Sequence, residues 1–280
     1  MLYAIDGTGP SDNEAYARDF TASFCRRVHL KLGFERSWYW RGPGLSGGGT
    51  SVIVDTVFRR VMNDRHCRPE TTDQPIHLVG YSRGGLACVE VARRLERQRV
   101  PVRALFLFDA VDRCRDIDGS RIPANVEAVY HARRNPKFGE RLTPALEAAW
   151  RRLTVDGSVA LSRLDPVSMP VPGPGTPIDL LMAVREVAPA LLDFVGSYVS
   201  DQHLRWTTRN RILGSSVSLF GNTALVWERA GGAIDTQHFM GSHGALGGTP
   251  WSEQIVPGDK LAVGQVWRWM WERFRREGVL

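Results

Sequence analysis

The stretch Pro75–Leu95, PIHLVGYSRGGLACVEVARRL, constrains the fold more than any other part of this 280-residue chain. It runs from a short apolar segment with the character of a buried parallel strand, through a serine flanked by glycines, into apolar residues that repeat at helical spacing. A strand that bends into a helix within one residue needs positions without a side chain around the bend, and Gly80 and Gly84 supply them on either side of Ser82. In this context the G-x-S-x-G pattern predicts a strained turn at the carboxyl end of a strand, with an exposed hydroxyl standing clear of the backbone. Glycines ahead of a helix can also cradle an anion. The stretch has neither the lysine of a Walker loop nor G-x-G-x-x-G spacing, which argues against a phosphate loop.

The segments around this bend alternate. LYAID leads into the loop GTGPSD, a helical stretch over about residues 13–32, a glycine-rich loop, a second helical stretch over about 52–64, and then the bend. VRALFLFDAVD and NVEAVYHARR follow as further strand candidates. Such alternation predicts an α/β fold with a mostly parallel central sheet, helices on both faces, and a ligand site at the carboxyl ends of the strands. Asp6, Ser82 and Asp109 all fall at such ends. The length fits a single domain over residues 1–280. Between about 144 and 211 the pattern changes to a proline-rich run and a very apolar segment, read as a helical cap or lid inserted beside the site, with a buried helix pair as the alternative. SSVSLFGNTALVWERA reads as a hairpin around Gly221 and Asn222. Residues 260–277 read as a closing amphipathic helix with Leu261, Val266, Trp267, Met270, Trp271 and Phe274 on one face.

Composition narrows the classes. The net charge of +6 is carried mainly by arginine, in clusters such as Arg93, Arg94, Arg97 and Arg99, then Arg133 and Arg134, then Arg273, Arg275 and Arg276. These are read as solvated helix faces; no nucleic-acid-binding motif accompanies them, so no nucleic-acid partner is expected. No apolar run is long enough to span a membrane, and MLYAIDGTG lacks the features of a Sec signal, so synthesis in the cytoplasm is expected. Cys25, Cys67, Cys88 and Cys114 have no metal-ligand spacing and are expected as reduced thiols, with no metal and no cofactor.

A serine hydroxyl is a poor nucleophile at neutral pH unless a histidine takes its proton and a carboxylate fixes the tautomer of that histidine. Downstream of Ser82, the glycine-rich HFMGSHGALGG offers His243 as the base, with His238 as its rival on a strand-like alternation. For the acid, Asp109 ends the apolar run RALFLFD, and Asp112 lies three residues on. A tetrahedral intermediate needs oxyanion donors: the backbone amide of Arg83, after the nucleophile, and an amide of the DGTGP loop, at Gly7 or Thr8. In that loop Asp6 would hold the backbone rather than react.

Taken in order, these pieces resemble one family, the α/β-hydrolases related to type VI secretion phospholipase effectors. The resemblance rests on IDGTG, on GYSRGG where the family has GFSRGA, on LFDAVD near its FDTV element, on NVEAVYHARR near its strand ending in HA, and on FMGSHGALGG near its W-F-x-G-x-H-x-D-x-G-G. It covers about residues 1–140 and 225–250; Ala110 replaces the usual threonine and Ala245 the usual acid after the histidine. It implies an α/β-hydrolase fold and a Ser82, Asp109, His243 triad. The activity it implies is cleavage of carboxylic esters, glycerophospholipids among them, through an acyl-enzyme. Transient contact with a membrane surface and delivery by a specialised secretion system are its further implications. A soluble-ester hydrolase or thioesterase would share the triad, and a binding module on the same scaffold would keep the fold without the chemistry.

Overall fold

The computed structural model describes residues 1–9, 12–43, 49–67, 73–111, 119–135, 225–249 and 258–280. Six strands form one sheet: β1 (Leu2–Ile5), β2 (Ser37–Trp40), β3 (His77–Tyr81), β4 (Ala104–Phe108), β6 (Val129–Arg134) and β8 (Asp235–Phe239), in the order β2-β1-β3-β4-β6-β8. Every pairing in it is parallel. Two short strands, β5 (Arg121–Ile122) and β7 (Val226–Trp227), pair in parallel as a separate ribbon. The α/β expectation of a mostly parallel sheet is met, and the topology is α/β-hydrolase-like.

Alternating side chains build a core on each face. Tyr3, Ile5, Leu78, Leu105 and Leu107 pack against α3 (Thr50–Cys67) and α4 (Arg83–Arg97). Their neighbours Leu2, Ala4, Val79, Phe106 and Phe108 pack against α2 (Phe24–Leu32) and a last helix, α6 (Asp259–Arg276). The central strands β1, β3 and β4 are buried along their whole length, which is why each reads as a continuous apolar run.

The closing helix is present, but its inward face is Ala262, Val266, Met270 and Phe274, spaced four residues apart. Leu261, expected on that face, is 67 % exposed, and Trp267 and Trp271 flank the buried stripe. The helical stretch expected over 13–32 is two helices, α1 (Asn13–Asp19) and α2. Ser23 separates them: its hydroxyl donates to Asp6 and also accepts the Arg26 amide at 3.1 Å, capping α2. β2 was not expected at all. Of the hairpin, Val226–Trp227 is a strand whose parallel partner is Arg121–Ile122, while Gly221 and Asn222 lie outside the described residues. The cap expected over 144–211 also lies outside them. Among the described residues, no helix is long and apolar enough to cross a membrane.

Between β1 and β3 the chain reverses its direction of travel across the sheet, since β2 lies on one side of β1 and β3 on the other. That switch point opens a crevice beyond the strand ends, where ligands of open α/β sheets bind. Asp6 to Thr8 follow β1 there, and Ser82 follows β3.

Candidate active site

Ser82 stands between β3 and α4 with φ 55° and ψ −128°, a left-handed backbone that a residue with a side chain adopts only under constraint. Its amide donates to the Phe108 carbonyl at 3.0 Å, tying the bend to β4. The flanking glycines serve close approach. A Cβ on Gly84 would lie 2.3 Å from the Asp6 carbonyl oxygen, and one on Gly80 would lie 2.5 Å from the Gly85 Cα. Tight packing of strand, bend and helix therefore excludes side chains at both positions. As residue before α4, Ser82 could cap the helix, yet its side chain makes no capping bond. The hydroxyl instead lies 2.9 Å from His243 Nε2. Contrary to the expected exposed hydroxyl, Ser82 is only 4 % exposed. The β1 loop closes over it, such that a Cβ on Gly7 would come within 3.2 Å of the Ser82 Cβ.

His243 opens the short helix α5 (His243–Gly247), which follows β8. Two neighbours fix its loop. Ser242 donates through its amide and hydroxyl to Asp259 at 2.8 and 2.6 Å, and the Tyr81 hydroxyl donates to the His243 carbonyl at 3.1 Å. The Tyr81 ring centroid is 4.9 Å from the imidazole. His243 Nδ1 lies 2.6 Å from Asp109 Oδ2. With Nδ1 donating to the carboxylate, Nε2 has its lone pair turned to the Ser82 hydroxyl. His238, on the edge strand β8, is exposed and has no part in this chain of contacts.

Asp109 leaves β4 with φ 41° and is 5 % exposed. Its amide donates to the Ala132 carbonyl at 2.7 Å. The Arg134 amide donates to Oδ1 at 3.2 Å, and the Arg134 guanidinium is ion-paired with Oδ2. Burial pushes the Asp109 carboxyl up, but the charge of Arg134 and the contact with His243 outweigh burial and hold it below the usual carboxylate range. Burial pushes the His243 imidazole below its ordinary value; Asp109 opposes this, while Arg134 and Arg83 add to it. Both shifts favour an ionised Asp109 and a neutral His243 at neutral pH. Asp112 lies outside the described residues.

Two residues of this arrangement escaped the sequence reading. Arg134 was grouped with a solvated cluster, yet its side chain is 4 % exposed and lies against Asp109. His131, 2 % exposed, accepts the Ala110 amide at 3.2 Å through Nε2 and so braces the turn that carries Asp109. The available signal was HARR at a strand's carboxyl end, where charges face a site rather than bulk water.

Around Ser82 the candidate oxyanion donors differ. The Arg83 amide is the first of α4, at the helix end where partial positive charge collects. The Gly7 amide is already engaged, donating to Asp6 Oδ1 at 2.9 Å. Thr8 is 7 % exposed, and its hydroxyl is buried with no hydrogen-bond partner among the described residues. Asp6 holds this loop: besides Gly7 it accepts from Ser23 and from the Tyr39 hydroxyl at 2.9 Å. Burial pushes its carboxyl up to about 6 in spite of those bonds. Among the described residues no group of three or more His, Cys, Asp or Glu side chains is arranged to hold a metal ion.

A thioesterase-domain family model matches residues 65–256. Among solved structures, the chain is similar to RedJ with a PEG molecule bound in the active site, at 22 % identity and a TM-score of 0.22, over 39 % of this chain and 43 % of that one. The match thus spans less than half the length of RedJ. It is also similar to a protein assigned to the α/β hydrolase superfamily from Xanthomonas campestris pv. campestris, at 20 % identity and a TM-score of 0.24, over 46 % of this chain and 70 % of that one. No curated protein matches.

Proposed function

The chain belongs to the thioesterase-domain family and is an α/β-fold hydrolase, and from that premise we propose that it cleaves acyl thioesters and related acyl esters with Ser82 as nucleophile, His243 as general base and Asp109 as the acid that orients it. The observation that carries the reading is the chain of contacts from Ser82 Oγ to His243 Nε2 at 2.9 Å and from His243 Nδ1 to Asp109 Oδ2 at 2.6 Å. In the proposed reaction Ser82 Oγ attacks the acyl carbonyl carbon as its proton passes to His243 Nε2. The oxyanion is received by the Arg83 amide and by Thr8, through its amide and hydroxyl, since the Gly7 amide is engaged by Asp6. Collapse breaks the bond to the thiolate or alkoxide leaving group, which takes the proton from His243. Water then attacks the acyl-Ser82 ester, giving its proton to His243, and the carboxylic acid leaves with Ser82 restored.

A thioester is placed first because the matched family is one of thioesterases. Glycerophospholipid esters are the second reading, favoured by the GYSRGG and FMGSHGALGG motifs and their resemblance to phospholipase effectors. Transient contact with a membrane surface belongs to that second reading alone.

The test is a direct comparison of turnover on an acyl-CoA thioester, a short-chain p-nitrophenyl ester and phosphatidylcholine vesicles, with fluorophosphonate labelling mapped to its peptide. Labelling at Ser82 with turnover of the thioester supports the proposal. Turnover confined to vesicles would move the substrate to lipid. Folded protein that neither labels nor turns over any of the three would make the site a binding pocket without chemistry.

A further inference from the structure

We propose that Arg134 is a positioning residue of this site: it clamps the Asp109 carboxylate, shares Oδ2 with His243, and thereby sets the lowest pH at which the base works. The proposal rests on the triad reading above, and it begins from geometry. Strand β6 grips the turn that carries the acid at four points. The Ala132 carbonyl accepts the Asp109 amide, His131 Nε2 accepts the Ala110 amide, the Arg134 amide donates to Oδ1, and the Arg134 guanidinium pairs with Oδ2. Asp109 has φ 41°, so its turn is strained and depends on outside contacts to stay in place.

The shared oxygen has a chemical consequence. In a serine triad the carboxylate stabilises the imidazolium that forms when the nucleophile loses its proton. Here a buried guanidinium is already paired with that carboxylate, and it adds a positive charge beside the ring. Other groups also act on the pair. Arg83 of α4 lowers the basicity of His243, and Arg133 of β6 and His238 of β8 lie in the field of Asp109. His131 is buried and neutral, and the Tyr81 hydroxyl is held protonated by burial and by Asp109 and Asp6. Asp259 reaches the loop through Ser242. Among these cations Arg134 is ion-paired with Asp109 through the oxygen that also meets His243, and its charge lowers the basicity of the imidazole. Its charge favours the neutral imidazole, so the base stays competent in acid where an unclamped triad would be protonated.

The experiment replaces the charge while keeping a donor, with Arg134→Gln, and keeps the charge with Arg134→Lys. In Arg134→Gln the acid limb of kcat/KM should move to higher pH, and the ratio of kcat/KM at about pH 5 to that at about pH 8 should fall about tenfold, the effect usual for one neighbouring charge. Arg134→Lys should leave the limb in place. A residue that only supported the fold would lower the unfolding temperature in both variants without moving the limb, and that result would overturn the proposal. An NMR titration of the His243 ring provides the readout without turnover: its midpoint should rise in Arg134→Gln. If Arg134→Gln does not fold, the same titration in Asp109→Asn and Asp109→Asn/Arg134→Gln decides, because no carboxylate is then stranded. A higher midpoint in the double variant supports the proposal, and equal midpoints overturn it. Wild-type protein that hydrolyses nothing would refute the triad reading, while the ring titration would still report on Arg134.

Discussion

Ser82 and Asp109 leave adjacent parallel strands through the same backbone irregularity, φ of 55° and 41° in residues that carry side chains. Tyr81 and Phe108, the residues before them, are register partners, and the Ser82 amide donates to the Phe108 carbonyl. The two turns are therefore locked side by side, and neither can relax alone. Left-handed backbone at residues with side chains costs on the order of 1–3 kcal/mol each. Ser82→Ala should lower kcat by at least about 10³-fold and abolish fluorophosphonate labelling. Ser82→Gly should be equally inactive but unfold at a higher temperature than Ser82→Ala, because glycine adopts this φ without strain. Calorimetry on the two variants checks the second half.

His243→Ala should cost as much activity as Ser82→Ala, and the double variant should be little worse than either single one, since the residues act as a unit. His238→Ala should leave kcat within about threefold, as its ring is exposed on the edge strand. Steady-state kinetics on the four proteins would show it, and an inactive His238→Ala would move the base to β8.

Acid should weaken the fold. His77 and His131 are buried, and burial pushes them down to about 4 and about 3. Each folded value lies below the unfolded one, so the stability they contribute is complete above about pH 6.5 and is lost as pH falls through that range. Asp6 runs the other way: burial raises it to about 6, so its contribution is present at low pH and is lost as pH rises through about 6. Two histidines outweigh one carboxylate, and the net expectation is a loss of a few kcal/mol between about pH 7 and pH 4. Urea unfolding at the two pH values measures it, and His131→Asn should flatten the dependence.

Gly84→Ala should be disruptive beyond its size. The added methyl would meet backbone, the Asp6 and Ile5 carbonyl oxygens at 2.3 and 2.4 Å, and backbone cannot swing aside as a flexible side chain can. A loss of about 3 kcal/mol is expected, at the upper end for an overpacked position. Activity should fall with it, because the displaced β1 loop carries Thr8. An unchanged unfolding midpoint would contradict the packing described around the bend.

Features written in local pattern were legible in the sequence. The bend at Ser82 announced itself through an apolar strand, two glycines and a helical repeat within twenty-one residues, and the runs at β1, β4 and β6 were readable because both faces are buried. Features that depend on distant partners were not. Ser23 divides the first helical stretch because of Asp6, 17 residues away, and nothing near Ser23 reveals that bond. Arg134 meets Asp109 across 25 residues, so its neighbours suggest only a basic cluster. The aromatic run at β2 was within reach, since Trp38, Tyr39 and Trp40 favour strands, but a glycine-rich loop follows immediately and obscured it.

Asp259, at the start of α6, fixes the loop that presents His243, and α6 is held to the sheet by Val266, Met270 and Phe274. The proposed nucleophile and acid belong to the first 110 residues, whereas the base is steadied by a helix that leaves the ribosome long after them. On the proposed reading, a polypeptide that has reached Asp109 but not Asp259 would carry its serine in an unarmed form. A chain without α6 would then be expected to stay chemically silent toward acyl esters, because the loop that presents His243 would lack its Asp259 anchor.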